Sequence, residues 1–146
     1  MLFVVSMSLN AGATTLEFRR AYIGKNGAVH VVTENGRDTQ IAKKGRNNQV
    51  RLSRNKRVVA WISDHSKDES SLNIYYEGKI RTVSGGPFVR DFWFVDDGTK
   101  IGIDIGGLHF AGTEILYDVA TGSQLDEVRQ WEAPYEKRPK WSSLRW

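Results

Sequence analysis

Cysteine is absent from the 146 residues. That excludes disulfides, thiolate metal sites, iron–sulfur clusters and a cysteine nucleophile. It does not choose a compartment, since oxidising and reducing locations both tolerate a cysteine-free chain. Helical periodicity is almost absent too. Only Ser123 to Trp131 would pass for a short helix, and Leu125, Val128 and Trp131 suit a strand equally well. No apolar run is long enough to cross a bilayer as a helix. No membrane insertion is therefore expected.

Hydrophobic residues make up 40% of the chain and charged residues 26%, with a net charge of +4 and a pI near 9.4. These values suit one soluble domain with a single core. The mild basic excess would favour acidic partners but says nothing about fold. Leu2 to Met7 form an uncharged apolar start, and Ala11-Gly12-Ala13 has the small-x-small form of a signal-peptidase site. Residues 1–13 therefore read as the remnant of a signal peptide, which places the protein in the periplasm. No Lys or Arg precedes the apolar run, and Leu2 to Val5 would also serve as a buried first strand.

What the chain does contain is short alternating apolar runs separated by Gly, Asn and Asp, the pattern of strands joined by tight turns. Strands are expected at Phe18–Ile23, Val29–Thr33, Thr39–Ala42, Val50–Ser53, Arg57–Ile62, Leu72–Tyr76, Lys79–Val83, Phe88–Val95, Lys100–Ile105, Glu114–Val119 and Ser123–Val128. The intervening Asn-Gly, Asp-Gly and Thr-Gly pairs accept the positive φ that hairpin turns require. A shift of 43 residues carries Val29-x-Val31 onto Leu72-x-Ile74, and that pair onto Ile115-x-Tyr117. The unit is hairpin, loop, hairpin, and its first copy is shortened. Four strands in about 40–45 residues is the signature of a propeller blade.

The fold class expected is all-β: antiparallel hairpins in about three small sheets, arranged as an incomplete propeller-like body over residues 14–128. Residues 129–146 form an aromatic, basic tail. That tail carries Trp131, Trp141 and Trp146, and would either cover an open sheet edge or hang free in solvent.

Chemistry-bearing patterns are few, and binding is favoured over catalysis. His30, His65 and His109 form no metal-ligating pair. Gly102 to His109 lacks the Gly-Lys-Ser/Thr and the following helix of a phosphate loop. Asp96 and Asp97 sit in a turn, where Asp bonds its own backbone. Asp91 and Asp104 complete this carboxylate cluster, from which a glycosidase would need two carboxyls facing each other across a cleft. Ser84-Gly85-Gly86 is not a nucleophile elbow. A hydrolase built on His65 or His109 would need a geometry the motifs do not supply, and no cofactor is implied. The basic run Lys43, Lys44, Arg46, Arg51, Arg54, Lys56 and Arg57 contains no acid. It reads as a solvated face sooner than as a nucleic-acid surface, and no nucleic acid partner is expected. The polar segment Ser63 to Ser71 reads as a loop between hairpins, and loops on rigid β scaffolds are where recognition usually lies.

Leu52-Ser53-Arg54-Asn55-Lys56-Arg57-Val58-Val59-Ala60-Trp61, Asp96-Asp97-Gly98-Thr99-Lys100-Ile101 and Leu116-Tyr117-Asp118-Val119-Ala120-Thr121-Gly122 resemble the repeats of TolB-like and WD-type propellers. Leu52-Ser53-x-x-x-Arg57-Val58-Val59, Glu69-Ser70-Ser71-Leu72 and Phe92 to Gly98 followed by Ile101-Gly102 also resemble immunity proteins that neutralise type VI secreted peptidoglycan amidases. This chain lacks the cysteines of that family. The resemblance implies a non-enzymatic periplasmic inhibitor, monomeric or dimeric, whose protein partner is a secreted amidase. A serine-bearing loop would enter the partner's active site. By position, Ser70 and Ser71 are the plug, with His65, Asp68 and Glu69 beside them. An arginine at Ser70 or Ser71 would then abolish capture without altering stability. The alternative is a TolB-like envelope scaffold, oligomeric through its open edges.

Overall fold

The computed structural model describes residues 16–83 and 87–143. The readings placed on residues 1–13 and on Ser84-Gly85-Gly86 lie outside them. Among the described residues there are eleven strands in three antiparallel sheets. The first sheet holds β1 (Phe18–Ile23), β2 (Val29–Thr33) and β3 (Asp38–Ala42). The second holds β4 (Asn47–Leu52), β5 (Val58–Ser66), β6 (Glu69–Tyr76) and β7 (Lys79–Val83). The third holds β8 (Val89–Val95), β9 (Lys100–Ile105), β10 (Thr113–Asp118) and β11 (Gln124–Arg129). Each sheet is a simple meander. No helix among the described residues is long and apolar enough to cross a membrane.

The sheets stack face to face, and the middle one is buried on both sides. This explains the unbroken apolar run at 58–62. On β5, Val58, Ala60 and Ile62 pack with Phe92, Ile101 and Ile103 of the third sheet. Val59 and Trp61, on the opposite face, pack with Phe18, Val29 and Val31 of the first. A strand covered on both faces has no wet side to alternate with.

Polar joints add to the apolar contact. Arg51 donates to Asp91 at 2.9 Å and to the Phe92 carbonyl, and its guanidinium lies 4.5 Å from the centre of the Phe92 ring. The Arg81 guanidinium donates to Val119 O at 2.8 Å. The backbone itself bridges neighbouring sheets, from Phe18 N to Lys56 O at 2.7 Å and from Asn55 N to Asp97 O at 3.0 Å.

The segment expected as a loop, Ser63 to Ser71, is not one. β5 runs on to Ser66 and β6 starts at Glu69, so the two strands meet in a tight turn at Lys67-Asp68. The unit is a continuous four-stranded meander rather than hairpin, loop, hairpin. Ser70 is 2% exposed and Ser71 is 1% exposed. Ser70 Oγ accepts from Val89 N at 2.8 Å and donates to Val89 O at 3.3 Å, joining the second sheet to the third. The apolar pattern stops at Ile62, but side-chain hydrogen bonds carry the pairing further. A chain of them crosses the sheet: Ser63 Oγ to Asn47, Asn73 Nδ2 to Ser63, and Thr82 Oγ1 to Asn73, at 2.7–2.9 Å.

Both outer faces of the stack are finished. On the first sheet, Arg20 lies 4.7 Å over the Tyr22 ring, which stacks on His30 at 5.0 Å, and His30 meets Asp38 at 3.0 Å. The Tyr22 hydroxyl also donates to Asp38, holding that carboxyl below its usual range. This face is polar, as a terminal face must be. On the third sheet the C-terminal tail lies across the face rather than along an edge. Trp93 Nε1 donates to Trp141 O at 2.7 Å, and Trp141 Nε1 donates to Asp126 at 2.8 Å. Beneath it, Glu114 accepts from Ser142, Ser143 and Gln130. Segment 123–131, open to a helical reading, is mostly strand β11.

Candidate functional site

Antiparallel order sorts the connections to the two ends of the stack. One end gathers the 24–28 turn, the 43–46 loop, the β5–β6 turn, the 106–112 loop and the start of the tail. The opposite end holds the turns after β2, β4, β6, β8 and β10. The residues singled out from sequence divide accordingly. His65, Asp68 and Glu69 are exposed at the first end, and His65 Nε2 lies 2.8 Å from Ser71 Oγ. Ser70 and Ser71 sit just behind them, facing inward. His109 is exposed in the 106–112 loop, whereas His30 lies on the outer face of the first sheet. Among the described residues no group of three or more His, Asp or Glu side chains is arranged to hold a metal ion.

The carboxylates have structural partners. Asp91 pairs with Arg51, and Asp104 pairs with Arg90 at 2.6 Å. Burial pushes the Asp104 carboxyl above its usual range, against the pull of Arg90. Asp96 and Asp97 occupy a 3₁₀ turn at the far end, both with positive φ. The Gly102–His109 segment is strand followed by a connection to β10, with no helix to bind phosphate.

The basic run splits in two. Arg51 turns inward to Asp91, Lys56 meets Glu34 at 3.1 Å, Arg57 meets Glu17 at 3.5 Å and Arg54 meets Asp97 at 3.8 Å. Lys43, Lys44 and Arg46 have no ion-pair partner among the described residues. They rim a cleft of about 450 Å³ between β3 and the face of the second sheet. Ile41, Trp61, Asp64, His65, Asn73 and Ile80 also line it.

The cationic rim is held in place. Asn47 Nδ2 donates to Gly27 O at 2.8 Å and to Lys43 O at 3.2 Å, while Asp64 N donates to Arg46 O at 3.0 Å. Gly27 has φ +80°, and a Cβ there would stand 2.4 Å from Gly45 O. Gly27→Ala is therefore expected to cost roughly 1–3 kcal/mol, through the left-handed backbone and the collision together. Urea unfolding measures it, and a loss below about 0.5 kcal/mol would show that the 43–46 loop gives way freely.

Three large apolar side chains at this end belong to no motif in the sequence. Leu108 is 63% exposed, Phe110 77% and Trp131 59%. The loop bearing the first two is fixed by Arg90, which donates to Phe110 O at 2.7 Å and Gly107 O at 3.2 Å. Gly112 N donates to Gln130 Oε1 at 2.7 Å. The only sequence signal was Leu108 and Phe110 standing between glycines, outside any strand pattern.

No family model matches the chain, and no curated protein matches it. Among solved structures it is similar to the β-propeller domain of the Trilobed protease from Pyrococcus furiosus, described as having an open velcro topology. Identity is 14% and the TM-score 0.54, over 82% of this chain and 37% of that one. The chain thus spans little more than a third of that chain. At this identity the likeness concerns the fold: all-β, with propeller-like sheets.

Proposed function

We propose that the chain is a non-enzymatic protein-binding module that presents one end of a rigid β stack to a partner. The observation that carries this reading is the pair Leu108 and Phe110, held out on a loop whose carbonyls are pinned by Arg90. Large apolar side chains exposed on a fixed loop are binding anchors, because little ordering entropy remains to be lost on association. His65, Asp68 and Glu69 flank them at the same end.

In the specific form suggested by the resemblance to immunity proteins, the partner is a secreted peptidoglycan amidase and this chain its periplasmic inhibitor. The inhibiting contact then comes from the β5–β6 turn and the 106–112 loop, with Ser70 and Ser71 supporting from behind. A self-assembled TolB-like ring is disfavoured, since ring closure needs bare sheet faces. The Arg20–Tyr22–His30–Asp38 cluster covers one outer face and the tail covers the other.

The test is retention of a stoichiometric partner from native envelope extract by wild type and two variants. Leu108→Ser/Phe110→Ser should weaken retention by about tenfold or more with an unchanged melting temperature. Arg54→Glu/Asp97→Lys, at the far end, should retain the partner. The reverse pattern, or no partner under any condition, refutes the reading.

A further inference from the structure

The cleft beside β3 combines features that the loops alone do not explain. Among the described residues β3 is an edge strand, with β2 on one side and no strand on the other. Thr33 N donates to Arg37 O, so antiparallel alternation bonds Thr39 to β2 and leaves the amides of Asp38 and Gln40 on the open side. The neighbouring face of the second sheet is partly bare, and Ile80 on β7 is exposed. At the end of that open edge stand Lys43, Lys44 and Arg46, and Asp64 is the one acidic residue lining the cleft among the described residues. The Asp64 carboxylate already accepts from Asn48 at 2.8 Å.

We infer that the partner contributes an extended acidic segment, which adds as a fourth strand to the open edge of β3 and sets its carboxylates on Lys43, Lys44 and Arg46. The inference rests on the protein-binding reading and names the chemistry of the segment bound. An unpaired edge is a template for main-chain pairing, which supplies affinity without sequence demands. The apolar side chains of the added strand turn toward Ile41 and Ile80. Specificity comes from charge: three cations without ion-pair partners among the described residues, on a loop pinned by Asn47 and Asp64, attract an acidic segment and repel a basic one. The pinning matters, because the rim is ordered before the ligand arrives.

The probe is a fluorescein-labelled peptide, Glu-Glu-Val-Thr-Val-Thr-Val-Glu-Glu, titrated with the whole chain by anisotropy. A counterpart with Lys in place of all four glutamates and an oligothymidylate of matched charge serve as controls. The acidic peptide is expected to bind, and the Lys peptide is not. Lys43→Glu/Lys44→Glu should weaken binding at least about tenfold, the scale of lost charge pairs across an interface. Because successive amides of a strand face opposite edges, methylating the valine amides and methylating the threonine amides should have unequal effects, with one abolishing binding. Equal behaviour of the two methylated peptides overturns strand addition. Oligothymidylate binding as tightly as the acidic peptide overturns the peptide assignment in favour of a general polyanion cleft. An unchanged affinity in the Lys43→Glu/Lys44→Glu protein overturns the role of the rim. If the peptide fails while Leu108→Ser/Phe110→Ser still releases the partner, strand addition falls and the binding module stands. If neither surface affects partner retention, both fall.

Discussion

A Ser70→Arg protein is expected to lose its fold before it loses any partner. Ser70 is buried at the joint between the second and third sheets, where its hydroxyl both accepts from and donates to the backbone of Val89. An arginine there adds side-chain volume to a packed seam and takes a cation out of water. It also strips the Val89 amide of its acceptor. Overpacking costs about 1–3 kcal/mol and an unsatisfied buried amide about 1–3 more. The buried charge adds to both. A loss of about 4 kcal/mol or more follows, a large share of the 5–15 kcal/mol that holds a typical domain together. Urea unfolding followed by intrinsic tryptophan emission reads the result directly. Ser70→Ala, which removes only the hydroxyl, should cost about 1–2 kcal/mol. A soluble Ser70→Arg protein with a wild-type unfolding midpoint would show that the hairpin tip swings free of Val89, and would return Ser70 to the list of contact residues.

Glu114→Ala is expected to detach the tail. Glu114 is 0% exposed and takes hydrogen bonds from Ser142, from the amide and hydroxyl of Ser143, and from Gln130. Among the described residues Glu114 has no ion-pair partner, so such donors are what stabilise its buried carboxylate. Its removal leaves several donors facing one another across a vacated space. The cost is about 3 kcal/mol, the scale for losing bonds to a buried charged group. The loss should be uneven across the chain. Trp93 still has its place against Gly102, where an added Cβ would stand 2.4 Å from the ring, but its bond to Trp141 O depends on the tail lying flat. Limited proteolysis should therefore cut the 131–143 segment early while the strands resist. Glu114→Gln, which keeps the shape and one acceptor, should fall between the two. Equal protease resistance of wild type and Glu114→Ala would show that Trp141 and Arg138 hold the tail unaided.

Much of the β framework was readable because each strand carries its own evidence. Phe18–Ile23, Val29–Thr33, Lys79–Val83 and Lys100–Ile105 coincide with the observed strands. Turns containing Gly27, Gly36, Gly78 and Gly98, all with positive φ, border these runs. The shortened first copy of the repeat corresponds to a first sheet with three described strands against four in each of the others. The same approach failed between Ser63 and Ser71. Those residues are uniformly polar, and a pattern of apolar burial registers polar residues only as loop. What pairs them is a line of hydroxyl and amide bonds through Asn47, Ser63, Asn73 and Thr82, together with the Ser70 bridge to Val89. Such bonds depend on which strands are neighbours, and that is set by stacking.

The candidate site was less legible for the same reason. Lys43, Lys44 and Arg46 look no different in sequence from Arg51, Lys56 and Arg57, yet among the described residues only the second three find carboxylates, which come from other sheets or from the chain ahead of β1. Leu108 and Phe110 would pass for core residues until their loop is seen to project from the end of the stack.

Local chemistry therefore settled that this chain is all-β, where its strands turn, and that a blade-like unit repeats along it. Backbone preference and apolar periodicity act within a few residues and leave a direct trace in the order of amino acids. Tertiary structure alone decided which polar residues are inside, which cations are spoken for, and which ends and edges stay open. Those depend on contacts between residues tens of positions apart, where packing and solvation, rather than neighbouring sequence, select the partner.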